Sequence, residues 1–321
     1  MPLPRACLFA ILLCPGLAAG ERGPIILERD AAPEALYAIG DVHGDVDRLA
    51  KLLTAVHLSN GATWTGGRSV LVVTGDMIDK GPHSVAVLRL LAALRTAAPG
   101  VGGQVIVLSG NHEAEFLADP RADKAEDFIA DLKKAGYTPE KVAACEGDIG
   151  EFLCSLPYAA RVGDWFFSHG GNTAGRSVAQ IERDIRKGLA AEGPATKQLT
   201  GATSILEARL GEGKMWFASP DEHGLLASYA EALGVKHMVQ GHQHNEVRFA
   251  DGVERHTGEM FQRWGLLFLI DVGMSEGVGD SRGAALRIVD GKATAVCWGG
   301  KETLLWQEAG AMQFGRAAPC K

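Results

Sequence analysis

Three short stretches carry carboxylate, imidazole and amide side chains directly after an apolar run. They read GDVHG from residue 40, GDMIDKG from residue 75 and GNHE from residue 110. Asp41, Asp76 and Asn111 take the second position of each stretch, at equal intervals of about one strand-helix-strand unit. Because open α/β sheets keep their sites at the carboxyl ends of parallel strands, we expect these side chains to converge at one rim.

The apolar runs before these stretches predict the strands that position them. Residues 36–39, 70–73 and 105–108 show no alternation of polarity, which is typical of strands buried on both faces. Between them, residues 46–56 and 84–96 carry apolar side chains at helical spacing. The local pattern is β-α-β-α-β and predicts a parallel sheet.

Five of the ten histidines share one context, an apolar strand followed by a glycine turn. They are His43, His112, His169, His242 and His244. Buried polar groups are costly unless they bind something, so five such matches indicate a ligand site rather than packing. The other five histidines have no repeated context and are interpreted as solvated or core residues.

The ligand types predict a pair of divalent metal ions. Mixed carboxylate, imidazole and amide ligands suit Mn²⁺, Fe or Zn²⁺ better than the all-oxygen sites of Mg²⁺ or Ca²⁺. A bridging carboxylate can hold two cations roughly 3.5–4 Å apart, and a water between them loses a proton near neutral pH and becomes a nucleophile. Asp76 is the bridging candidate, and we expect manganese, with iron or zinc as alternatives.

The ordered set of motifs resembles the calcineurin-like metallophosphoesterases. The stretches GDVHG, GDMIDKG, GNHE, SHGG and GHQH are most similar to the phosphoprotein phosphatase branch, and Leu269–Ser275 (LIDVGMS) resembles the bacterial Shewanella-like phosphatases within it. The match spans about residues 36–289. It implies an α/β fold with a central β-sandwich flanked by helices, rather than the plain doubly wound sheet that the local pattern favours.

The resemblance also implies a role for each residue of these motifs. It implies that one metal is held by Asp41, His43 and Asp76, and the other by Asp76, Asn111, His169 and His242. His112 is then the general acid that protonates the leaving group, and Asp79 orients its imidazole, because an acid must be held in one tautomer and pose. His244 matches the wider superfamily, in which it completes the first metal site.

Two departures from the family pattern concern the substrate phosphate. Lys80 stands where the branch has an arginine, which keeps the charge but loses the bidentate fork, and it is expected to bind phosphate together with Asn111. Near Trp216, where related phosphatases carry another arginine, this chain has Phe217 and Ala218. The metal ligands are complete, whereas the phosphate clamp is altered.

These features predict an enzyme that hydrolyses phosphomonoesters of a protein or a small molecule. The metal-bridged hydroxide attacks phosphorus in line, with no phosphoenzyme. A phosphodiesterase or dinucleoside polyphosphate hydrolase is the alternative, because of GHQH and the missing arginine. A third hypothesis, from the weakened clamp alone, is a protein that binds phosphorylated ligands without turnover.

Composition restricts the partners of the chain. Its 321 residues have a formal net charge of −7 and a pI near 5.8, which argues against a surface for nucleic acid or an anionic membrane. Arg5 precedes an apolar run, residues 6–13, and then small residues up to Gly20, which is the pattern of a cleavable secretory signal. We expect a periplasmic or secreted protein with no stable membrane anchor after cleavage.

The predicted organisation is a signal, a leader, one domain and a tail. The bounds are residues 1–20, 21–33, 34–300 and 301–321, with helical insertions at about 114–160 and 172–234. The leader is expected to pack poorly.

Four cysteines remain after cleavage of the signal: Cys145, Cys154, Cys297 and Cys320. They allow three pairings, among which the sequence does not choose. Cys145 with Cys154 is the local option, and two buried free thiols are the alternative there.

Overall fold

The computed structural model describes residues 25–28, 33–211, 216–309, 316–317 and 320. The strands are β1 (Ile25–Glu28), β2 (Leu36–Ile39), β3 (Ser59–Asn60), β4 (Thr63–Trp64), β5 (Val70–Val73), β6 (Gln104–Val107), β7 (Ala159–Val162), β8 (Trp165–Ser168), β9 (His237–Gln240), β10 (Val247–Arg248), β11 (Glu254–Arg255), β12 (Met260–Arg263), β13 (Leu267–Leu269), β14 (Ala284–Val289), β15 (Lys292–Cys297), β16 (Glu302–Gln307) and β17 (Arg316–Ala317). The helices are α1 (Val46–Ala55), α2 (Ser84–Ala97), α3 (Asn111–Ala118), α4 (Glu126–Lys134), α5 (Pro139–Ala143), α6 (Gly147–Cys154), α7 (Val178–Glu192), α8 (Lys197–Thr200) and α9 (Glu222–Leu233). Short 3-10 helices lie at Ala98–Val101, Asp123–Ala125 and Gly193–Ala195.

Two large sheets form the body of the protein. Within the described residues, one has the order β16-β15-β14-β2-β5-β6 and the other has the order β1-β7-β8-β9-β13-β12-β17. The strands β2, β5 and β6 pair in parallel, as the sequence predicts. The strand β14 adds to β2 in antiparallel fashion, so the first sheet is mixed rather than doubly wound.

The two sheets pack face to face, which is the central sandwich expected from the family resemblance. On β2, Leu36 and Ala38 belong to the buried cluster between the sheets, which also holds Phe167 and Phe268 of the facing sheet. Ile39 of the same strand packs in the cluster on the opposite side, under α1 and α2. Each parallel strand is therefore apolar on both faces, which explains why its sequence shows no alternation.

Helices cover both outer faces of the sandwich. Leu49 of α1 and Leu88 of α2 are fully buried against the first sheet, and Ile181 of α7 and Leu226 of α9 against the second. Among the described residues, one helical stretch, residues 84–101, is long and apolar enough to cross a membrane. It is the core-facing α2 and the 3-10 turn after it.

The ends of the domain extend further than the sequence predicts. The strand β1 lies in the segment expected to be a poorly packed leader, yet it pairs in parallel with β7 and buries Ile25. In the expected tail, β16 completes the edge of the first sheet and β17 pairs with β12. These strands are short, and the partner with which each one pairs cannot be read from the sequence. The predicted signal, residues 1–20, lies outside the described residues.

Two disulfide bonds resolve the choice that the sequence leaves open. Cys145 pairs with Cys154, the local option, and connects the end of α5 to α6. Cys297, at the end of β15, pairs with Cys320.

Candidate active site

Five strand ends from both sheets meet at one rim of the sandwich. Asp41, Asp76 and Asn111 follow β2, β5 and β6 of the first sheet, while His169 and His242 follow β8 and β9 of the second. All five side chains are buried. Since the strands β2, β5 and β6 are parallel, their carboxyl ends share one edge, and the parallel pair β8 and β9 brings the histidines to the same place.

Asp76 lies at the centre of this cluster. Its Oδ2 atom is 3.6 Å from Nε2 of His43, 3.9 Å from Nε2 of His112 and 3.3 Å from Nε2 of His169. Its Oδ1 atom accepts a hydrogen bond from the backbone N–H of His112 at 3.0 Å. Burial raises the pKa of Asp76, but the charges of His169 and His112 outweigh it and hold the pKa well below its usual range.

The backbone is strained where the site residues are presented. His43, Asp76, Asp79 and His242 have φ values of 45°, 52°, 60° and 67°, in the left-handed region that non-glycine residues seldom adopt. Such conformations cost roughly 1–3 kcal/mol each and persist only when the surroundings enforce them, and they cluster at functional sites.

Two glycines allow the turns to approach each other. A Cβ atom on Gly75 would clash with the backbone of Gly110, and one on Gly110 would clash with Asp76. The glycine before each polar residue therefore has a packing reason, since the turns after β5 and β6 touch through their backbones.

Glu113 connects the turns after β5 and β6 by hydrogen bonds to their backbones. It is fully buried, and its carboxylate accepts hydrogen bonds from the N–H groups of Gly110 at 2.7 Å, Asp76 at 2.9 Å and Met77 at 2.8 Å. Burial raises its pKa to about 7. The sequence prediction assigned it no role, although the GNHE motif and its third position in α3 were the available signals.

Two histidines present Nε2 to the cluster in a fixed orientation. Nδ1 of His43 donates to the carbonyl of Ile78 at 3.0 Å, and Nδ1 of His169 donates to the carbonyl of Thr74 at 3.0 Å. These bonds turn the Nε2 atom of each ring toward Asp76. Metal-ligating histidines are held in the same way, with the other ring nitrogen donating to a carbonyl or carboxylate.

A second group surrounds His169. Its Nε2 atom is 3.0 Å from Oδ1 of Asn111 and 3.0 Å from Nδ1 of His242. Among the described residues, Nε2 of His242 and Nδ2 of Asn111 are buried with no hydrogen-bond partner. Burial lowers the pKa of His169, yet the charges of Asp76 and Asp41 raise it to about 10. The cluster therefore favours a positive charge at its centre.

These side chains fit a pair of metal ions. The donor atoms of Asp76, His43 and His112 lie within 4.8 Å of one another, and so do those of Asp76, His169 and His242. Asp76 belongs to both groups, as expected of a bridging carboxylate. The unpartnered Nε2 atom of His242 and the Nε2 atoms turned toward Asp76 are donors that a cation would satisfy.

Asp41 lies next to the first group rather than inside the closest set of donors. Its Oδ2 atom is 3.8 Å from Nε2 of His43, and its Oδ1 atom accepts from the N–H of His242 at 2.9 Å. Burial, reinforced by the charge of Asp271, raises its pKa well above the usual range. Asp41 thus links the turn after β2 to the histidine loop of the other sheet.

His112 and Asp79 form the pair that the sequence predicts. Nδ1 of His112 is 3.0 Å from Oδ2 of Asp79, and both residues are buried. The other carboxylate oxygen of Asp79 accepts from the backbone N–H of Phe128 at 3.0 Å. Phe128 belongs to α4, so the first helical insertion fixes the carboxylate that orients His112.

His244 stands apart from the donor groups of the described residues. Its side chain is 22% exposed, and its Nδ1 atom is 3.8 Å from Oδ2 of the buried Asp271. Beneath it, the fully buried Arg255 donates to the carbonyls of Gln243 at 2.8 Å and Asn245 at 2.7 Å, and to that of Asp271. The sequence prediction missed Asp271 and Arg255. The LIDVGMS motif contained the first, whereas no local signal marks the second.

The structure also locates the two positions at which the family pattern predicts phosphate binding. Nζ of the exposed Lys80 is 3.5 Å from Nε2 of His43. Lys80 also lines a cleft of about 650 Å³ together with Arg48, Lys51 and Trp298. By contrast, Phe217 is fully buried and stacks on Phe249, so the position near Trp216 belongs to the core.

Comparisons with known proteins agree with this geometry. The family described as calcineurin-like phosphoesterase matches residues 35–246. The chain is 26% identical to Shewanella-like protein phosphatase 2 of Arabidopsis thaliana, over 84% of this chain and 78% of the relative. It is 33% identical to a symmetrical bis(5'-nucleosyl)-tetraphosphatase of Acidovorax ebreus, over 43% and 44% of the two chains.

A solved structure shows the same fold. The cold-active protein-tyrosine phosphatase of a psychrophilic Shewanella species superposes with a TM-score of 0.67 at 21% identity, covering 89% of this chain and 83% of that one. The sandwich, its paired donor groups and the family match, which covers about two thirds of the sequence, lead to one conclusion. The chain belongs to the calcineurin-like phosphoesterase family, whose members are dinuclear metal-dependent phosphoric ester hydrolases.

Proposed function

We propose that this protein is a phosphomonoesterase that uses Asp76 as the shared ligand of two divalent metals and His112 as the general acid. The observation that carries the proposal is the position of Asp76. Its carboxylate belongs to both donor groups, and its Oδ2 atom lies 3.9 Å from Nε2 of His112, the imidazole that Asp79 holds. Metal ligation and proton donation are therefore adjacent.

The donor sets assign the metals to this chain's residues. Asp41, His43 and Asp76 would hold one ion, and Asp76, Asn111, His169 and His242 the other, with His244 as a further candidate. When bound, the two ions would neutralise phosphate oxygens and lower the pKa of a water between them. Mixed nitrogen and oxygen donors favour manganese, with iron or zinc as alternatives.

The remaining steps belong to side chains. Asn111 and Lys80 contact the phosphate oxygens and position the phosphorus. As the bond between phosphorus and the leaving oxygen breaks, Nε2 of His112 donates its proton to that oxygen, and Asp79 stabilises the imidazolium before the transfer. The cleft that Lys80 lines adjoins the site through Lys80 itself, whose Nζ atom is 3.5 Å from Nε2 of His43. It carries both basic and acidic side chains, which suits part of a protein or a polar small molecule.

We also propose export to the periplasm or the medium, with no membrane anchor after processing and no nucleic-acid partner. The signal-like amino terminus supports export. The two disulfide bonds add support, because disulfides persist in oxidising compartments. Fractionation of the native host tests this proposal, and a cytosolic full-length chain would contradict it.

The catalytic proposal is tested with p-nitrophenyl phosphate and manganese. Asp76→Asn should abolish turnover and lower the bound metal, because the amide cannot bridge two cations. Asp290→Asn, in the exposed hairpin turn between β14 and β15, is the matched control and should keep normal turnover and normal metal content. Normal turnover by Asp76→Asn would overturn the assignment.

A second candidate is hydrolysis of a diester or a dinucleoside polyphosphate. The tetraphosphatase relative and the GHQH loop favour it. Parallel assays on bis-p-nitrophenyl phosphate and a dinucleoside tetraphosphate separate the two. A higher efficiency on the monoester would exclude the second candidate, and any robust turnover would exclude a binding protein without activity.

A further inference from the structure

The segment from residue 203 to 210 is fixed on one of the histidine loops of the site. Nδ2 of Asn172 donates to the carbonyl of Thr203 at 2.7 Å, and the N–H of Gly170 donates to the carbonyl of Ile205 at 2.7 Å. These two contacts lie within three residues of His169. The start of the segment is therefore attached to the loop that follows β8.

The end of the same segment is fixed on the other histidine loop. The N–H of Leu210 donates to Oε1 of Gln243 at 2.8 Å, and Nε2 of Gln243 donates back to the carbonyl of Leu210. Gln243 is buried and stands between His242 and His244. This two-way hydrogen bond sets the backbone of residue 210, and hence the start of the neighbouring side chain, against the rim of the site.

That neighbour is Arg209, an exposed arginine. Within the described residues it has no hydrogen-bond or ion-pair partner. It directly precedes Leu210, whose backbone is hydrogen-bonded to Gln243, the residue between His242 and His244. The backbone of Arg209 is therefore held beside this loop, within reach of the rim for a long side chain.

Lys80 approaches the site from the turn after β5. Its Nζ atom is 3.5 Å from Nε2 of His43. Two cations on separate segments thus flank the rim. The position near Trp216 cannot supply one, because Phe217 is core, and the buried Arg255 is engaged by backbone carbonyls.

We propose that Arg209 is the second phosphate-binding cation of this protein, and that Arg209 and Lys80 together make the site select dianionic phosphate groups. The inference rests on the proposed phosphomonoesterase function. An arginine fork binds two phosphate oxygens at once, which supplies the geometry that Lys80 lacks. A monoester dianion has one more charge than a diester, so it gains more from both cations.

The test compares Arg209→Met and Arg209→Lys with Arg183→Met, a matched exposed arginine on α7. The measurements are inhibition by inorganic phosphate and kinetics on p-nitrophenyl phosphate and its bis ester. Arg209→Met should raise the inhibition constant of phosphate about 10- to 100-fold, as expected for losing a charge-assisted hydrogen bond, and Arg209→Lys should lie between it and wild type. The loss in kcat/KM should be larger for the monoester.

Two results would overturn the role of Arg209. The first is a phosphate inhibition constant within about twofold of wild type. The second is an equal loss on both esters together with a lower metal content, since a merely structural residue gives that pattern. If the wild-type protein hydrolyses neither ester, the proposed function fails. The role of Arg209 is then tested by the thermal stabilisation that phosphate gives in the presence of manganese. Its loss in Arg209→Met supports the proposal, and its retention refutes it.

Discussion

Replacing Asp79 by asparagine should slow the enzyme most for substrates with poor leaving groups. One oxygen of Asp79 accepts from the N–H of Phe128 and the other faces Nδ1 of His112, each at 3.0 Å. An asparagine can satisfy only one of them. If its oxygen keeps Phe128, its NH₂ faces Nδ1 and imposes the other tautomer of His112, and no carboxylate stabilises the imidazolium.

The size of the effect follows from that contact. A hydrogen bond to a charged group contributes about 1.5–3 kcal/mol, which corresponds to a fall of roughly 10- to 160-fold in rate. Removing the acid itself with His112→Asn should cost about 10²- to 10⁴-fold. Both losses should be larger for phenyl phosphate than for p-nitrophenyl phosphate, because phenolate needs protonation more than p-nitrophenolate does.

The assay measures kcat on both esters and the metal content of each variant. Asp131→Asn is the matched control, since Asp131 accepts from the N–H of Val85 at 2.8 Å in the same insertion and has no contact with His112. Equal losses on the two esters would refute general acid catalysis by His112. Loss of metal in His112→Asn would instead make His112 a ligand, as its membership of a donor group allows.

Three further outcomes are expected. Burial lowers the pKa of His237, so the unfolded chain binds a proton below about pH 6.5 that the folded protein does not. Stability should therefore fall as the pH drops through that range, by up to about 1.4 kcal/mol per unit, and urea unfolding of His237→Phe should show a flatter curve than wild type. Gly81→Ala should lower stability by about 1–3 kcal/mol and weaken manganese binding, since its Cβ would clash with the carbonyl of His43, and calorimetry measures both. Replacing Cys145 and Cys154 by serine should lower the free energy of unfolding by about 2–4 kcal/mol. Reduction of the wild-type protein should lower it by at least as much.

The sequence predicts the parallel core of the fold better than its borders. Unbroken apolar runs before Asp41 and Asp76 predict strands because no other short element buries both faces. The strand β1 pairs through its backbone, and its four residues have no periodicity to read. The sandwich itself follows from the family resemblance alone, because local patterns do not show what covers a sheet.

The site shows the same division. Residues whose side chains point into the cluster, such as Asn111 and His169, stand directly after glycine turns and are visible as motifs. Glu113 and Arg255 act on backbone N–H and carbonyl groups of distant turns, so only the folded chain reveals their contacts. The loop places His244 at the rim beside Asp271, and its role as a ligand stays a prediction.

The ligands come from both halves of the sandwich, and this division couples cofactor to architecture. Bound ions would add cross-links between two sheets that are already joined by apolar packing and by hydrogen bonds such as that from His242 to Asp41. At a free ion concentration of about 100 times Kd, one bound ion raises the free energy of unfolding by roughly 2.7 kcal/mol. A chelator would then destabilise the whole domain in addition to abolishing catalysis. Shortage of metal would therefore first be measurable as lower stability.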